Sequence, residues 1–542
     1  MFNLITKAPP KKRLLYFELE KFLNKTESSP IALISGLRKT GKTTLFAQIA
    51  KNFKDIKTVL YLNFRDNQVY SSQENIEADQ TAEQTLYNFI MNPDHEILLL
   101  DEITCLEDYE TLCANLHDLA SAERGGWKYK VFATCSSPFH IRALSCGALG
   151  GSRSRLYYLP VIKFVEYLHL TTDHITYGDY AKVTAQDFEN YLHLKNLPEG
   201  MLRTFDEAYF MNYYNELVLS DDVTMNPHGE SNLESHDLKN FANVLAYQLA
   251  GRVHYDKLLK NNPGKYELAA FGGRKKFEKE LEESQIKHSQ SDIKELTDNL
   301  GYGAPAKLLR FLLISYVINA ETFLQSETDK CADILRVISA LNKDTSHGDL
   351  VKAFGQISFA PNSPLLYTRL GDDVLQRAGF SWDEFYKLPA ASKNSLYGYL
   401  CELYLRGAIS ELNSKSLPFT SAKLSVGQQA EIDIVNLELG IVCESTLKNK
   451  DTPDVHLADY YGDYELIRIC ATADLYDVKE CYYQIPYPLL CCMVDTGDVL
   501  KLQRTTAQDT LANLIDKDTL IWSGKTPFDS SNNFPAECLN KE

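Results

Sequence analysis

The sequence predicts an α/β protein whose N-terminal third is a parallel sheet with helices on both faces. Three observations predict it. Short, almost wholly apolar runs recur at 30–36, 58–64, 96–103, 130–137 and 155–160. Segments of helical period stand between them. Three of the runs lead straight into glycine, acidic or hydroxyl residues. Runs of this length read as strands buried on both faces, and their alternation with helices implies parallel pairing. Ligands of such sheets bind at the carboxyl ends of the strands.

The elements follow in order. "KKRLLYFELEKFL" (11–23) spaces its apolar residues as an amphipathic helix does. "PIALISG" (30–36) is the first strand, and "KTTLFAQIAKNF" (42–53) is a helix. Between them lies Gly36-x-x-x-x-Gly41-Lys42-Thr43. That pattern, placed after a strand and opening a helix, is a phosphate cradle. Gly36 and Gly41 let backbone N–H groups face an anion with no Cβ in the way. Leu37, Arg38, Lys39, Thr40 and Thr44 complete the loop. Lys42 would reach the β- and γ-phosphates of ATP, and the Thr43 hydroxyl would hold Mg²⁺. "TVLYLNF" (58–64) is the second strand.

"ILLLDE" (97–102) ends the third strand in two acids. Unpaired buried charge is expensive, so something cationic is expected there. Asp101 is placed for Mg²⁺ and Glu102 for general-base attack on the phosphate through water. "ATCSSPF" (133–139) ends the fourth strand with Thr134, Ser136 and Ser137. These hydroxyls either orient water at the γ-phosphate or cap the next helix. Before the fifth strand, Arg153 and Arg155 flank a Gly-Gly turn. Either Arg153 or Arg155 acts as an arginine finger, in cis or across a subunit contact, or both are solvent-exposed.

The chain of 542 residues is long enough for two to four domains. Its net charge of −17 argues against non-specific nucleic-acid binding. The 12 cysteines form no C-x-x-C pair and read as reduced thiols. "LLRFLLISYVI" (308–318) contains Arg310 and reads as a core helix rather than a span. With no signal-peptide pattern at "MFNLITKAPPKKRLL", a cytoplasmic protein free of the membrane is expected. From about 171 to 400 the pattern is mostly helical, with a loop at 228–237 and a charged hairpin or linker at 274–300. The segments at 331–343 and 372–412 suggest a small helical or winged-helix module, with protein docking favoured over DNA by the acidic charge.

"AEIDIVNLELGIVCESTLKN" (430–449) reads as two strands and a short connector. With a Glu438-Leu439 loop, Asp433 sits opposite Glu444 and Glu431 opposite Thr446. Facing carboxylates want a cation between them, so Asp433 and Glu444 form a candidate second metal site. A bulge at Gly440 would slip the register and separate them.

The order of "GLRKTGKTTL" (36–45), "VLYLNF" (59–64), "LLLDEI" (98–103), "CSS" (135–137) and "LPVIKFVEYL" (159–168), with Pro160, Phe164 and Glu166, resembles a known family. It is similar to prokaryotic AAA-type P-loop ATPases with a C-terminal domain related to the restriction-endonuclease-like fold. The resemblance implies ATP and Mg²⁺ as ligands of Lys42, Thr43, Asp101 and Glu102. It implies a P-loop ATPase domain over 1–170, a helical or winged-helix region over 171–395, and a restriction-endonuclease-like α/β domain over 396–542. In that last fold Asp433 and Glu444 match the acids, and Glu402 is a helix-borne third. Thr446 occupies the lysine position and Lys448 lies further along, so a non-catalytic domain is expected. The expected function is Mg²⁺-dependent ATP hydrolysis working against the C-terminal half, with a protein partner or self-association. The alternatives are a nucleotide switch or scaffold in a defence or signalling assembly, and an ATP-gated nuclease.

Overall fold

The computed structural model describes residues 4–24, 29–36, 40–73, 80–120, 127–135, 138–150, 153–172, 180 and 183–192. It further describes 318–324, 357–361, 364–365, 390–412, 422–426, 430–436, 439–445, 465–473, 476–478, 482–502 and 504. These residues fall in two compact units, Met1–Leu170 and Thr171–Glu542.

In the first unit, helix α1 spans Leu14–Asn24 and strand β1 spans Ile31–Gly36. Helix α2 (Lys42–Phe53) and strand β2 (Val59–Asn63) follow. Next come β3 (Gln68–Ser71), α3 (Ala82–Met91), β4 (Ile97–Asp101), α4 (Tyr109–Ala120) and β5 (Lys130–Thr134). Helix α5 (Pro138–Cys146), β6 (Ser154–Leu159) and α6 (Phe164–Thr171) complete it.

The sheet order is β3-β2-β4-β5-β1-β6. All pairings are parallel except β2 with β3. The apolar runs are buried on both faces because two cores sandwich them. Tyr16, Leu19 and Phe22 of α1 and Leu45, Phe46 and Ile49 of α2 pack on Ala32, Ile34, Leu99 and Phe132. Leu86 and Phe89 of α3, Leu116 of α4 and Leu144 of α5 pack on Leu33, Leu62, Leu98 and Val131, the alternate residues of the same strands. Strand β5 lies between β1 and β4, so the phosphate-loop strand and the acidic strand are next-nearest neighbours with their carboxyl ends on one side.

In the second unit, α7 spans Ala185–Leu192, β7 Ile318–Leu324, β8 Ile357–Pro361 and α8 Ala390–Leu412. Strands β9 (Ala422–Val426), β10 (Ala430–Asn436), β11 (Ile441–Ser445) and β12 (Ile467–Thr472) follow. Strands β13 (Asp477–Val478) and β14 (Tyr483–Pro486) precede helix α9 (Tyr487–Thr496). The sheet order is β13-β14-β12-β11-β10-β9-β7-β8.

Here the fold departs from the helical reading of the middle region. Residues 318–324 and 357–361 are strands, and β7 pairs with β9 in parallel at Thr322 and Ala422. One sheet therefore takes strands from both sides of residue 395. The apolar segment 308–318 ends in a strand residue, Ile318; its other residues, with 228–237, 274–300 and 331–343, lie outside the described ones. No helix among the described residues is long and apolar enough to cross a membrane.

Candidate active site

The site is built where β1 turns into α2. Gly41, the residue before α2, has φ +101°, a conformation in which a side chain is strained. Gly36 is required for a different reason. A Cβ there would lie 2.6 Å from the Leu159 carbonyl oxygen of the paired strand β6. No side chain caps the N-terminus of α2, so the first-turn N–H groups remain directed at the loop. The Lys42 ammonium, buried to 6% exposure, donates to the Gly36 carbonyl at 2.8 Å. Leu37, Arg38 and Lys39 lie outside the described residues.

Across β5, the Thr43 hydroxyl donates to Asp101 Oδ2 at 2.7 Å. The same oxygen accepts from the Tyr61 hydroxyl at 3.1 Å and the Asn63 amide at 3.4 Å. Asp101 is 1% exposed. Burial pushes its carboxyl above the ordinary carboxylate range, against the lowering effect of the Thr43 and Tyr61 hydrogen bonds and the Lys42 charge. A carboxylate held this way favours an added cation. Thr43 and Asp101 are both hard oxygen donors. The donor set therefore fits Mg²⁺ held by few protein ligands together with phosphate oxygens.

Glu102 follows directly. It has φ 57° and ψ 45°, an uncommon conformation for a residue with a Cβ, and opens a short 3-10 helix. Its Oε2 lies 3.2 Å from Arg65 Nη2, with the carboxylate side chain 14% and the arginine side chain 40% exposed. Burial of Arg65 works against its charge, but the neighbouring Glu102 raises its affinity for the proton overall.

Other expected residues are placed elsewhere. Thr134 is fully buried, and its hydroxyl donates to the Ile34 carbonyl at 2.9 Å. It ties β5 to β1. Ser136 and Ser137 lie outside the described residues. Arg153 and Arg155 are exposed at the start of β6, where Ser154 pairs with Ile31. The site lies at the other end, where Leu159 pairs with Gly36. Five residues of strand, about 17 Å, separate the two ends. Within one chain, Arg153 thus stands at the end of β6 opposite the loop. Arg65 is the described arginine beside Glu102. Tyr61, Asn63 and Arg65 went unread in the sequence. Their signal was "YLNFR", an apolar strand ending in an amide and a cation, and Asn63 is in register with Asp101.

In the second unit, Ile434 pairs with Cys443 and Asn436 with Ile441, the register that sets Asp433 opposite Glu444. The connector is four residues, 437–440, rather than two, and Gly440 takes φ +67° without a slip. Asp433 Oδ2 accepts the Ser445 backbone N–H at 2.8 Å. Glu444 is 5% exposed. Glu402 pairs with Arg406 one turn along α8. Thr446 and Lys448 lie outside the described residues.

Residues 28–168 match the family model described as an AAA domain, a P-loop ATPase-type domain. No curated protein matches the chain. Among solved structures, the chain is similar to the Aeropyrum pernix ORC2 protein in its ADP form, at 12% identity over 58% of this chain and 88% of that one, with a TM-score of 0.23. It is similar to Drosophila ORC bound to poly(dA/dT) DNA and Cdc6, at 12% identity over 74% and 78% of the two chains, with a TM-score of 0.21. A third, Drosophila ORC bound to GC-rich DNA and Cdc6, gives 13%, 70%, 74% and 0.20. Superpositions this loose carry no argument about fold or function.

Proposed function

We propose that the N-terminal unit binds ATP with Mg²⁺ and hydrolyses it, and that turnover drives a conformational change against the C-terminal half. The observation that carries this reading is the 2.7 Å contact from Thr43 to Asp101, which joins the phosphate loop to the acidic strand end. In this reading the loop N–H groups and Lys42 bind the phosphates, with Lys42 leaving the Gly36 carbonyl for the β- and γ-phosphates. Thr43 and Asp101 hold Mg²⁺, which when bound offsets charge on the phosphate oxygens. Glu102 takes the proton of the attacking water.

Phosphate release by the full chain with MgATP tests it. Slow turnover is expected in the wild type. Glu102→Gln should lower it about a hundredfold or more while keeping ATP bound. Lys42→Ala should lose both. Equal background release by wild type and Glu102→Gln, with ATP bound to each, would remove hydrolysis. That outcome favours the second reading, a nucleotide-operated switch. The Arg65–Glu102 ion pair supports that alternative, because it occupies the carboxylate that hydrolysis needs.

For the C-terminal unit we propose a non-catalytic role in binding a protein partner or a second copy. Asp433 supports the non-catalytic part of this reading, since its oxygen already serves a backbone N–H.

A further inference from the structure

Arg13 stands immediately before α1 and is 6% exposed. Its guanidinium makes contacts in three directions. Nη1 donates to the Thr40 carbonyl of the phosphate loop at 2.7 Å. Nη2 donates to the Pro160 carbonyl at 3.0 Å, just past β6. Nε and Nη2 grip both oxygens of Glu166 at 3.1 and 2.6 Å. Glu166 is 1% exposed, and it also accepts the backbone N–H of Leu14 at the start of α1 and of Lys163 at the start of α6, each at 3.0 Å.

The two members of this pair have separable duties. Glu166 caps two helices. Only Arg13 touches the loop. A buried Arg–carboxylate pair is weak evidence for stability, because apolar residues of similar volume often serve as well. The Thr40 contact has a consequence apolar residues cannot supply. The peptide that carries the Thr40 carbonyl carries the Gly41 N–H on its other side. A full positive charge on that carbonyl polarises the peptide and strengthens Gly41 N–H as a donor. It also fixes the plane of the peptide at the one glycine with φ +101°.

We propose that Arg13 is a positioning residue of the phosphate loop, holding and polarising the Thr40–Gly41 peptide for the phosphates. The inference rests on the nucleotide-site reading above.

Arg13→Lys, Glu166→Gln and Lys42→Ala in the full chain separate the possibilities. MgATP affinity is measured by calorimetry, unfolding by a thermal melt, and turnover as KM and kcat. A lysine retains the charge and reaches Glu166, but one ammonium cannot serve three directions. Arg13→Lys should weaken MgATP about tenfold and raise KM alike, with kcat within about twofold, the loss of one charge-assisted contact. Glu166→Gln should lower the melting temperature but weaken MgATP less than about threefold. Arg13→Lys binding MgATP as the wild type does would overturn the proposal. So would affinity falling in step with melting temperature across both variants, which is what a purely structural pair gives. MgATP binding absent from both wild type and Lys42→Ala would remove the nucleotide-site reading itself, and this inference with it. Binding lost only in Lys42→Ala leaves that reading standing and removes the inference alone.

Discussion

Asp101 Oδ2 takes hydrogen bonds from Thr43, Tyr61 and Asn63, while Glu102, one residue on, pairs with Arg65. Two adjacent carboxylates thus receive opposite treatment. The first is buried and takes hydrogen bonds from neutral donors, with the Lys42 charge nearby. The second, its side chain 14% exposed, has a countercharge in Arg65. That contrast suits Asp101 to a metal and leaves Glu102 restrained by Arg65. If so, Arg65→Ala frees Glu102 as a base, and basal phosphate release should rise several-fold with MgATP affinity unchanged. A fall in kcat instead would mean that Arg65 stabilises charge in the transition state. Steady-state kinetics beside calorimetry decides between them. Asp101 and Glu102 were legible because they end an apolar run, where burial makes polarity informative, and Lys42 and Thr43 because they close the glycine loop between a strand and a helix. Arg65 was not, because it sits two residues beyond its strand and only the neighbouring position of β2 and β4 brings it to Glu102.

Elements were legible where they are local. The strands at 31–36, 59–63, 97–101, 130–134 and 154–159 and the helix at 42–53 fall within a residue or a few of the apolar runs that predict them. Strand β3 was missed because it has four residues, is only partly buried, and pairs antiparallel at the sheet edge. Strands β7 and β8 were missed for a stronger reason. The partner of β7 in the C-terminal half, β9, lies about a hundred residues away, at Thr322 and Ala422, and no local period records such pairing. The β10–β11 hairpin is an intermediate case: the sequence offered two registers, and the one with Ile434 opposite Cys443 forms, with a longer connector than expected. In that hairpin Asp433 accepts the Ser445 N–H at the end of β11. Asp433→Ala should cost about 1–3 kcal/mol, read by urea unfolding of the second unit. Added Mg²⁺ or Mn²⁺ should not stabilise wild type over the variant, and DNA and RNA should stay intact with either metal. Metal-dependent cleavage lost in Asp433→Ala would establish the nuclease instead.

At the scale of the whole molecule, the first unit is closed by a buried charge pair. Arg13 and Glu166 are 153 residues apart, join the start of α1 to the start of α6, and sit almost wholly out of water. Such a closure makes stability depend on pH, with a definite sign. Burial pushes the Glu166 carboxyl up, but the Arg13 charge and the hydrogen bonds from Arg13 and Lys163 outweigh it, and the group lies below its ordinary value of 4.5. A carboxyl depressed in the folded state stabilises the fold at pH values above the unfolded value. That contribution is lost as pH falls through the depressed one. Glu166→Gln should therefore cost about 3 kcal/mol near pH 7, where it leaves the Arg13 charge buried without its partner. The deficit should be constant from pH 7 down to about 5 and should narrow below the ordinary carboxyl value. Melts of both proteins across pH 3–7 read this as two curves converging at the acid end. Parallel curves, with a deficit that does not narrow at low pH, would mean that the Glu166 charge contributes nothing. An Arg13→Met, Glu166→Leu double variant completes the test, since apolar replacements should remove the acid dependence while keeping the unit folded. MgATP affinity lost in that double variant despite a recovered melting temperature would assign Arg13 to the phosphate loop rather than only to the stability of the unit.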